Sequence, residues 1–458
     1  MRISQKNLRK IAVYLYELPK EFRKEMRVPA KIYASEKLLS QVFEDRSLEQ
    51  LTNTATLPGV YKNVLLMPDC HEGYGAPIGS VIATRLPDGV ISPGANGYDI
   101  KCSIGLLASQ ISLAEIKNQT PEIIEALFKG VPSGVGVRGP IRISAQEYEE
   151  VLKEGAAWAV KKGYGQKEDL ERMEDQGTFL NAQPETVSEK AKKRGEDELG
   201  TLGSGNHFLE LQWVEKIYQS FWAKQFGLFE NQICIMIHTG SRGLGHQVCT
   251  DYVNLARSVL TKYKIKLPDP ELACMPYSSK EGQNYFGAMA AAANYAYANH
   301  QILIHFIRKA WPLGPLSLVW HMGHNIARVE EHKGVKLCVH RKGAARCLEN
   351  QPVLIPGSMG SASYLLIGQK KAEETFASCA HGAGRLMSRT AAKKQIWGEN
   401  LKKDLEAKGI YPRSRSSAGL AEEAPFAYKD IEEVVRVIEK AGLAKKVARL
   451  LPLGVVKG

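Results

Sequence analysis

Apolar runs that stop on glycine or proline punctuate the chain. "NVLLMPD", "GSVIATRL", "ICIMIHTG" and "VLIPGS" each predict a strand ending in a turn. Apolar residues recur at helical spacing in "GHQVCTDYVNLARSVLTKY", in the Ala-rich stretch after Gly282 and in "IEEVVRVIEKAG". The longest apolar stretch, "FGAMAAAANYAYANHQILIHFI", is broken by Asn294, Asn299, His300 and His305, which predicts a buried helix rather than a membrane span. From about 155 to 198 the pattern turns to dense charge, as in "KKGYGQKEDLERMEDQG", and reads as a solvent-facing helical insertion over the main body. No repeat, low-complexity tract or Pro/Ser-rich linker separates autonomous units. The expectation is one α+β domain over 1–458, with a mostly antiparallel sheet core and peripheral helices.

Charge changes the picture towards nucleic acid. The 458 residues carry 61 lysines and arginines against 49 aspartates and glutamates, a formal charge of +12. Such a surplus favours polyanionic partners, although a basic but unspecialised surface gives the same count. The start, "MRISQKNLRKIAVYLYEL", has charges where a signal peptide needs an apolar stretch. Eight cysteines without a CxxC pair do not suggest a disulfide framework. A cytoplasmic location with reduced thiols is expected.

Candidate chemistry gathers on glycine-rich turns. In "GANGYDIKCSIG", Asp99 and Cys102 lie three apart and can converge as a metal corner; a surface Asp and a buried Cys is the plainer alternative. "GTLGSGNHFLELQ" delivers Asn206 and His207 into a strand whose alternation puts Asn206, Phe208 and Glu210 on one face and His207 and Leu209 on the other. His238 ends the strand in "ICIMIHTGSRGLGHQV", and Arg242 follows on a turn before a helix, a place where anions bind. In "WHMGHNIARVEEH" both His321 and His324 are candidate ligands; His324 is preferred because Asn325 repeats the histidine–amide pairing. His332 and His340 read as surface or strand histidines. A Cys, an Asp and three His from four loops suffice for a two-metal site sharing a thiolate. Finally, "SCAHGAGRLMSR" sets His381 among small residues, where a phosphate can approach a neutral, nucleophilic imidazole. Arg385 and Arg389, four apart, are expected to share a helical face and grip further phosphates.

Taken in order, "MPDCHEGYGAPIGSV", "GYDIKCSIG", "GTLGSGNHFLEL", "IHTGSRGLGHQV", "GHNIARVEEH", "HRKGAARC", "PGSMGSASYLL", "HGAGRLMSR" and "ARLLPLGVVKG" resemble the RtcB family of RNA-splicing ligases over nearly the whole chain. The resemblance implies a GTP- and manganese-dependent enzyme acting in tRNA splicing or RNA repair. It would join RNA ends bearing a 2′,3′-cyclic phosphate or 3′-phosphate to 5′-hydroxyl ends. It implies two Mn(II) ions in a central cleft, bridged by Cys102, with Asp99 and His207 completing one shell and His238 and His324 the other. His381 would take GMP as a covalent intermediate. Asn206, Asn325, Pro356, Gly357, Ser358, Met359, Gly382, Ala383 and Gly384 would hold the nucleotide, with Ser363, Tyr428 and Lys457 near the base. Glu210 also carries a physical argument: a carboxylate accepts from guanine N1–H and the 2-amino group, a pair adenine does not offer. Arg194, Arg242, Arg385 and Arg389 would hold RNA phosphates, with a solvated helix face the alternative for Arg194. The same resemblance implies archease as an activating partner; a monomer without membrane association is expected.

Three positions depart from the family pattern, which commonly has Gly at Lys101 and Ser103 and Thr at Ala345. Lys101 beside Cys102 is expected to lower the thiol's pKa or to repel bound metal. Manganese rests on the resemblance, since a Cys/His/Asp set binds zinc more tightly. Two rival readings use the same residues: a metal-dependent phosphoesterase with His381 as general acid, and a non-catalytic RNA-binding protein.

Overall fold

Strand signals in the first third of the chain join two strands from residues 326–342 in a seven-stranded sheet. Its order is Arg9–Ala12, Leu15–Leu18, Ala30–Tyr33, Val60–His71, Ile78–Arg85, Val335–Lys342 and Ile326–His332. All neighbours are antiparallel except Ala30–Tyr33 with Val60–His71. The computed structural model describes residues 3–116, 118–134 and 136–458. A second, eight-stranded sheet runs Ser317–Gly323, Ser103–Ser112, Gln232–Thr239, Phe208–Ile217, Ala444–Lys457, Ser363–Gly368 and Pro352–Ile355, with Tyr411–Ser414 added in parallel to Ala444–Lys457. The protein is a single α+β domain with mostly antiparallel sheets, as the pattern predicted.

The period of two along each strand decides the layering. Leu106 and Met236 join the apolar core shared with Leu65, Ile82 and Val339 of the seven-stranded sheet. Leu107, Ile235 and Ile237 point the other way, into a second core built on the helix Lys280–Ala310. Two sheets and a helical layer therefore stack around two apolar interiors.

The helix Lys280–Ala310 is the Ala-rich stretch, buried along most of its length, and no helix among the described residues is long and apolar enough to cross a membrane. Its N-terminus is capped by Ser279, whose hydroxyl accepts from the Gly282 amide at 3.0 Å. Asn299 and His300, which interrupt its apolar pattern, contact backbone elsewhere. Asn299 accepts from the Gly200 and Thr201 amides at 2.8 and 3.1 Å and donates to the Gly240 carbonyl at 3.2 Å. His300 lies 3.1 Å from the Ser103 carbonyl through Nε2. One buried helix thus braces three of the loops that carry candidate ligands, because buried polar groups must find partners.

The charged stretch differs from expectation. It folds as the short helices Ala156–Lys161, Lys167–Glu171 and Glu189–Glu196, but several carboxylates between them turn inward. Asp169 receives both arms of Arg308 at 2.6 and 2.7 Å, and Glu174 pairs with Lys101. Dense charge here neutralises buried cations, which a composition reading assigns to solvent.

Candidate active site

Five strand ends meet at one rim of the eight-stranded sheet. Registers pair Ser103 with Gly323 and with Thr239, and Phe208 with His238 and with Lys457. Asp99, Cys102, His207, His238 and His324 all sit at this rim. His324 and Asn325 form the link by which the chain leaves Ser317–Gly323 of one sheet and enters Ile326–His332 of the other. Asn325 takes φ +62° there, and its side chain donates to the Asp99 carbonyl and accepts from the Gly343 amide.

The donor atoms fall into two overlapping groups, Asp99–Cys102–His207 and Cys102–His238–His324, within each of which they lie no more than 4.8 Å apart. Cys102 Sγ is 3.5 Å from His207 Nε2 and 3.1 Å from His238 Nε2, and Asp99 Oδ2 is 2.8 Å from His207 Nε2. Each imidazole has a carbonyl near its far nitrogen: Leu202 at 3.0 Å from His207 Nδ1 and Asn206 at 3.2 Å from His238 Nδ1. These contacts favour the Nδ1–H tautomers, leaving both Nε2 lone pairs aimed at the thiol. Burial, then the Asp99 carboxylate, push the Cys102 thiol well above its ordinary pKa, and burial holds His238 and His324 well below theirs. Against the upward pull of burial, the His207 contact keeps Asp99 below the usual carboxylate range. A carboxylate, a shared sulfur and three imidazoles converging in this way fit a pair of divalent cations.

Lys101 does not face this cluster. At φ +55° its side chain leaves the loop on the opposite side and reaches Glu174, while its charge still contributes to holding His324 low. Arg242, not Lys101, is the cation that acts on Cys102.

His381 follows the strand Ser378–Ala380, which pairs with Ala344–Arg346. Its Nδ1 lies 2.6 Å from Asp69 Oδ2, which also accepts from the His381 and Gly382 amides at 2.9 and 3.2 Å. Asp69 is fully buried on the irregular end of Val60–His71. The carboxylate fixes the Nδ1–H tautomer and frees Nε2. The imidazole packs edge-on against His324, ring centroids 4.6 Å apart. Gly384 has φ +73°, and a Cβ there would meet the Asp69 carbonyl at 1.8 Å, so the glycine is required for the loop to lie on Asp69.

A cavity of about 690 Å³ opens beside His381. Asn206, Glu210, Asn325, Pro356, Gly357, Ser358, Met359, Gly382, Ala383, Gly384, Tyr428 and Lys457 line it, as do His238, His324, Arg385 and Arg389. Its volume is in the range for small-molecule sites. Glu210, flanked by Leu209 and Leu211 on the opposite face, is raised to about pKa 8 by burial, with Gln212 and Lys457 pulling the other way. Lys457 is lowered to about 8 by burial and donates to the Gly205 and His207 carbonyls.

The comparisons decide the lineage. A family model described as tRNA-splicing ligase RtcB matches residues 50–458. The chain belongs to the RtcB family. It is 50% identical to the tRNA-splicing ligase RtcB of Archaeoglobus fulgidus, over 98% of this chain and 99% of that protein. The corresponding Thermococcus kodakarensis protein is 47% identical over the same shares. The RNA-splicing ligase RtcB of Mycobacterium tuberculosis is 45% identical over 89% of this chain and all of its own.

Some sequence-predicted residues of this RtcB-family chain lie elsewhere. Ser363 stands behind the cavity wall, accepting from Gln212 at 3.0 Å and from the Gly357 amide at 3.1 Å. Arg194 donates to Gln247, and Arg242 lies beneath the ligand cluster against Thr201 and Glu198. Arg385 and Arg389 do not share a helical face, because the helix begins at Arg389. They converge instead on Glu423, at 3.2 and 3.1 Å. His321, the rejected ligand, is fully buried against His300 with ring centroids 4.3 Å apart.

Asp69 and Glu423 are carboxylates of the candidate site that the sequence reading did not name. Asp69 lies within a family-like motif, "MPDCHEGYGAPIGSV", which was its available signal. Glu423 carried none: it gathers Arg385, Arg389, Tyr428 and Lys457 around one buried side chain.

Proposed function

We propose that the protein is an RNA ligase that uses GTP and two Mn(II) ions to join RNA 3′-phosphate or 2′,3′-cyclic phosphate ends to 5′-hydroxyl ends. The observation that carries this reading is His381. Its Nδ1 is held by a buried carboxylate, its ring abuts a ligand of the Cys102 cluster, and it opens onto a nucleotide-sized cavity. A histidine serving as general acid in a hydrolase needs no such cavity with a carboxylate deep in its wall.

The residues divide the work. Asp99, Cys102 and His207 would hold one cation, and Cys102, His238 and His324 the other; these ions would neutralise the triphosphate and line up pyrophosphate as leaving group. His381 Nε2 attacks the α-phosphorus, the bond to pyrophosphate breaks, and Asp69 stabilises the cation that forms on the ring. Glu210 accepts from guanine N1–H and the 2-amino group, and Lys457 supports it electrostatically. Asn206 and the Pro356–Met359 and Gly382–Gly384 stretches hold ribose and phosphates. GMP then passes from His381 to the RNA 3′-phosphate, a cyclic end having first been opened by water. Attack by the 5′-hydroxyl on that activated phosphate forms the new phosphodiester and releases GMP. Arg385 and Arg389 sit at the cavity where RNA phosphates would approach, whereas Arg194 and Arg242 would act from outside it. The setting is the cytoplasm, in tRNA splicing or RNA repair, as a monomer with archease as the activating partner the family implies.

The test is labelling with GTP radiolabelled at the α-phosphate in the presence of manganese. The protein should acquire an acid-labile, base-stable label, and His381→Ala should abolish it. A label that persists in that variant, or that forms equally well from ATP, overturns the proposal.

A further inference from the structure

Beyond the cavity rim the chain exposes an aromatic ring that the chemistry above does not use. Trp397 is 81% solvent-exposed, the most exposed large hydrophobic side chain among the described residues. Tryptophan is seldom left in water without a partner, because its ring offers a large apolar area. The position is tied to the site by short, ordered structure. Arg389 and Met387 line the cavity, and Arg389 opens the helix Arg389–Gln395, which spans roughly 10 Å at 1.5 Å per residue. Gln395 donates back to Met387 Sδ at 3.5 Å, and Trp397 caps the next helix, Gly398–Glu406. Leu386, partly exposed, lines the cavity and gives its mouth an apolar edge.

The electrostatic surroundings choose the occupant. Residues 385–415 hold nine lysines and arginines against three aspartates and glutamates. Lys393 and Lys394 are exposed on the same short helix, and Lys393 pairs with Glu422 at 2.8 Å. A protruding aromatic on a basic surface that leads into a phosphate-handling cavity suits a single strand of nucleic acid. The phosphates run along the cations while a base stacks on the ring.

We infer that Trp397 is a stacking platform for a nucleobase of the RNA strand whose end occupies the cavity, and that Lys393 and Lys394 hold the adjacent phosphates. The inference rests on the ligase reading for the identity of the strand, not for the stacking itself. Guanylylation of His381 needs GTP and manganese but no RNA, so it separates the two.

The experiment compares the full-length protein with its Trp397→Ala and Trp397→Phe variants in three measurements. These are His381 labelling by GTP, the KM of ligation for a single-stranded RNA pair, and fluorescence quenching by an oligoribonucleotide ending in 3′-phosphate. Trp397→Ala should label at the wild-type level but raise the RNA KM roughly 10-fold or more, with kcat little changed. Trp397→Phe should keep most of the affinity, since a smaller ring still stacks. Quenching of the wild-type signal should be absent in both variants. An unchanged RNA KM in Trp397→Ala overturns the inference. So does a change confined to sedimentation, which would make this face a protein contact. Failure of the wild-type protein to label sinks the ligase reading instead, while quenching would still report on the stack.

Discussion

Lys101 and Glu174 meet at 2.5 Å with side chains 0% and 1% exposed, directly behind the loop that carries Cys102. Burial lowers the lysine's pKa while Glu174 opposes that, and the carboxyl is held low by Lys101, Arg346 and Arg328 against burial. Lys101 occupies a left-handed backbone position that costs a non-glycine residue free energy, and its ion pair offsets that cost. Removing one partner of a buried pair leaves the other charge unmatched. Glu174→Gln should therefore lose about 3–5 kcal/mol of stability in urea unfolding. The double variant with Lys101→Met should recover part of it.

Asp69→Asn should abolish most of the histidine's reactivity without unfolding the protein. Three N–H groups converge on Asp69 Oδ2; an amide either turns its NH2 towards them or accepts them without the negative charge that an imidazolium needs. A misassigned tautomer elsewhere costs roughly 10⁴-fold in rate. GTP-labelling kinetics should slow by at least about 100-fold, while circular dichroism stays that of the parent.

Guanine binding should tighten as pH rises towards and past 8. Burial raises the Glu210 carboxyl from its ordinary 4.5 to about 8 in the folded protein. The free protein's advantage from the neutral acid is complete below about 4.5 and lost as pH rises through about 8. Accepting two N–H donors requires the carboxylate, so the bound state pulls the other way. GTP titrations between pH 6 and 9 should show affinity increasing with pH. Glu210→Gln should flatten the profile and reduce guanine preference roughly 10- to 100-fold. A flat profile in the parent protein would remove the base-reading role.

Metal stoichiometry should separate the two halves of the ligand cluster. Cys102 belongs to both groups, His324 to one. Elemental analysis of manganese-loaded protein should give two ions, one after His324→Ala, and close to none after Cys102→Ala. Chelation should lower the melting temperature of the parent and leave the Cys102 variant almost unaffected.

Strand ends, glycine turns and alternation made much of the rim legible before any coordinates. The face that holds Asn206, Phe208 and Glu210 follows from period two alone, and these residues line the cavity. Partnerships that span the chain were not legible. Asp69 and His381 are 312 positions apart, and the motif around that aspartate does not say which side chain it meets. Lys101 illustrates the same limit: adjacency in sequence put its charge beside the thiol, whereas backbone φ turned it to the other side. The carboxylates of the charged stretch looked solvated because their buried cations come from distant elements, Arg308 and Lys101 among them. Arg385 and Arg389 kept the helical spacing but not the helix, and Glu423 gathers them instead.

His381 and most of the candidate metal donors ride on different sheets. Asp69 anchors His381 to the seven-stranded one, while Cys102, His207 and His238 stand at the edge of the eight-stranded one. His324 occupies the crossing between them. The gap across which phosphorus would be attacked is thus an interlayer spacing, adjustable by side chains that never meet a substrate. Repacking Leu106 or Val339 in the shared apolar interior would retune the reaction from afar.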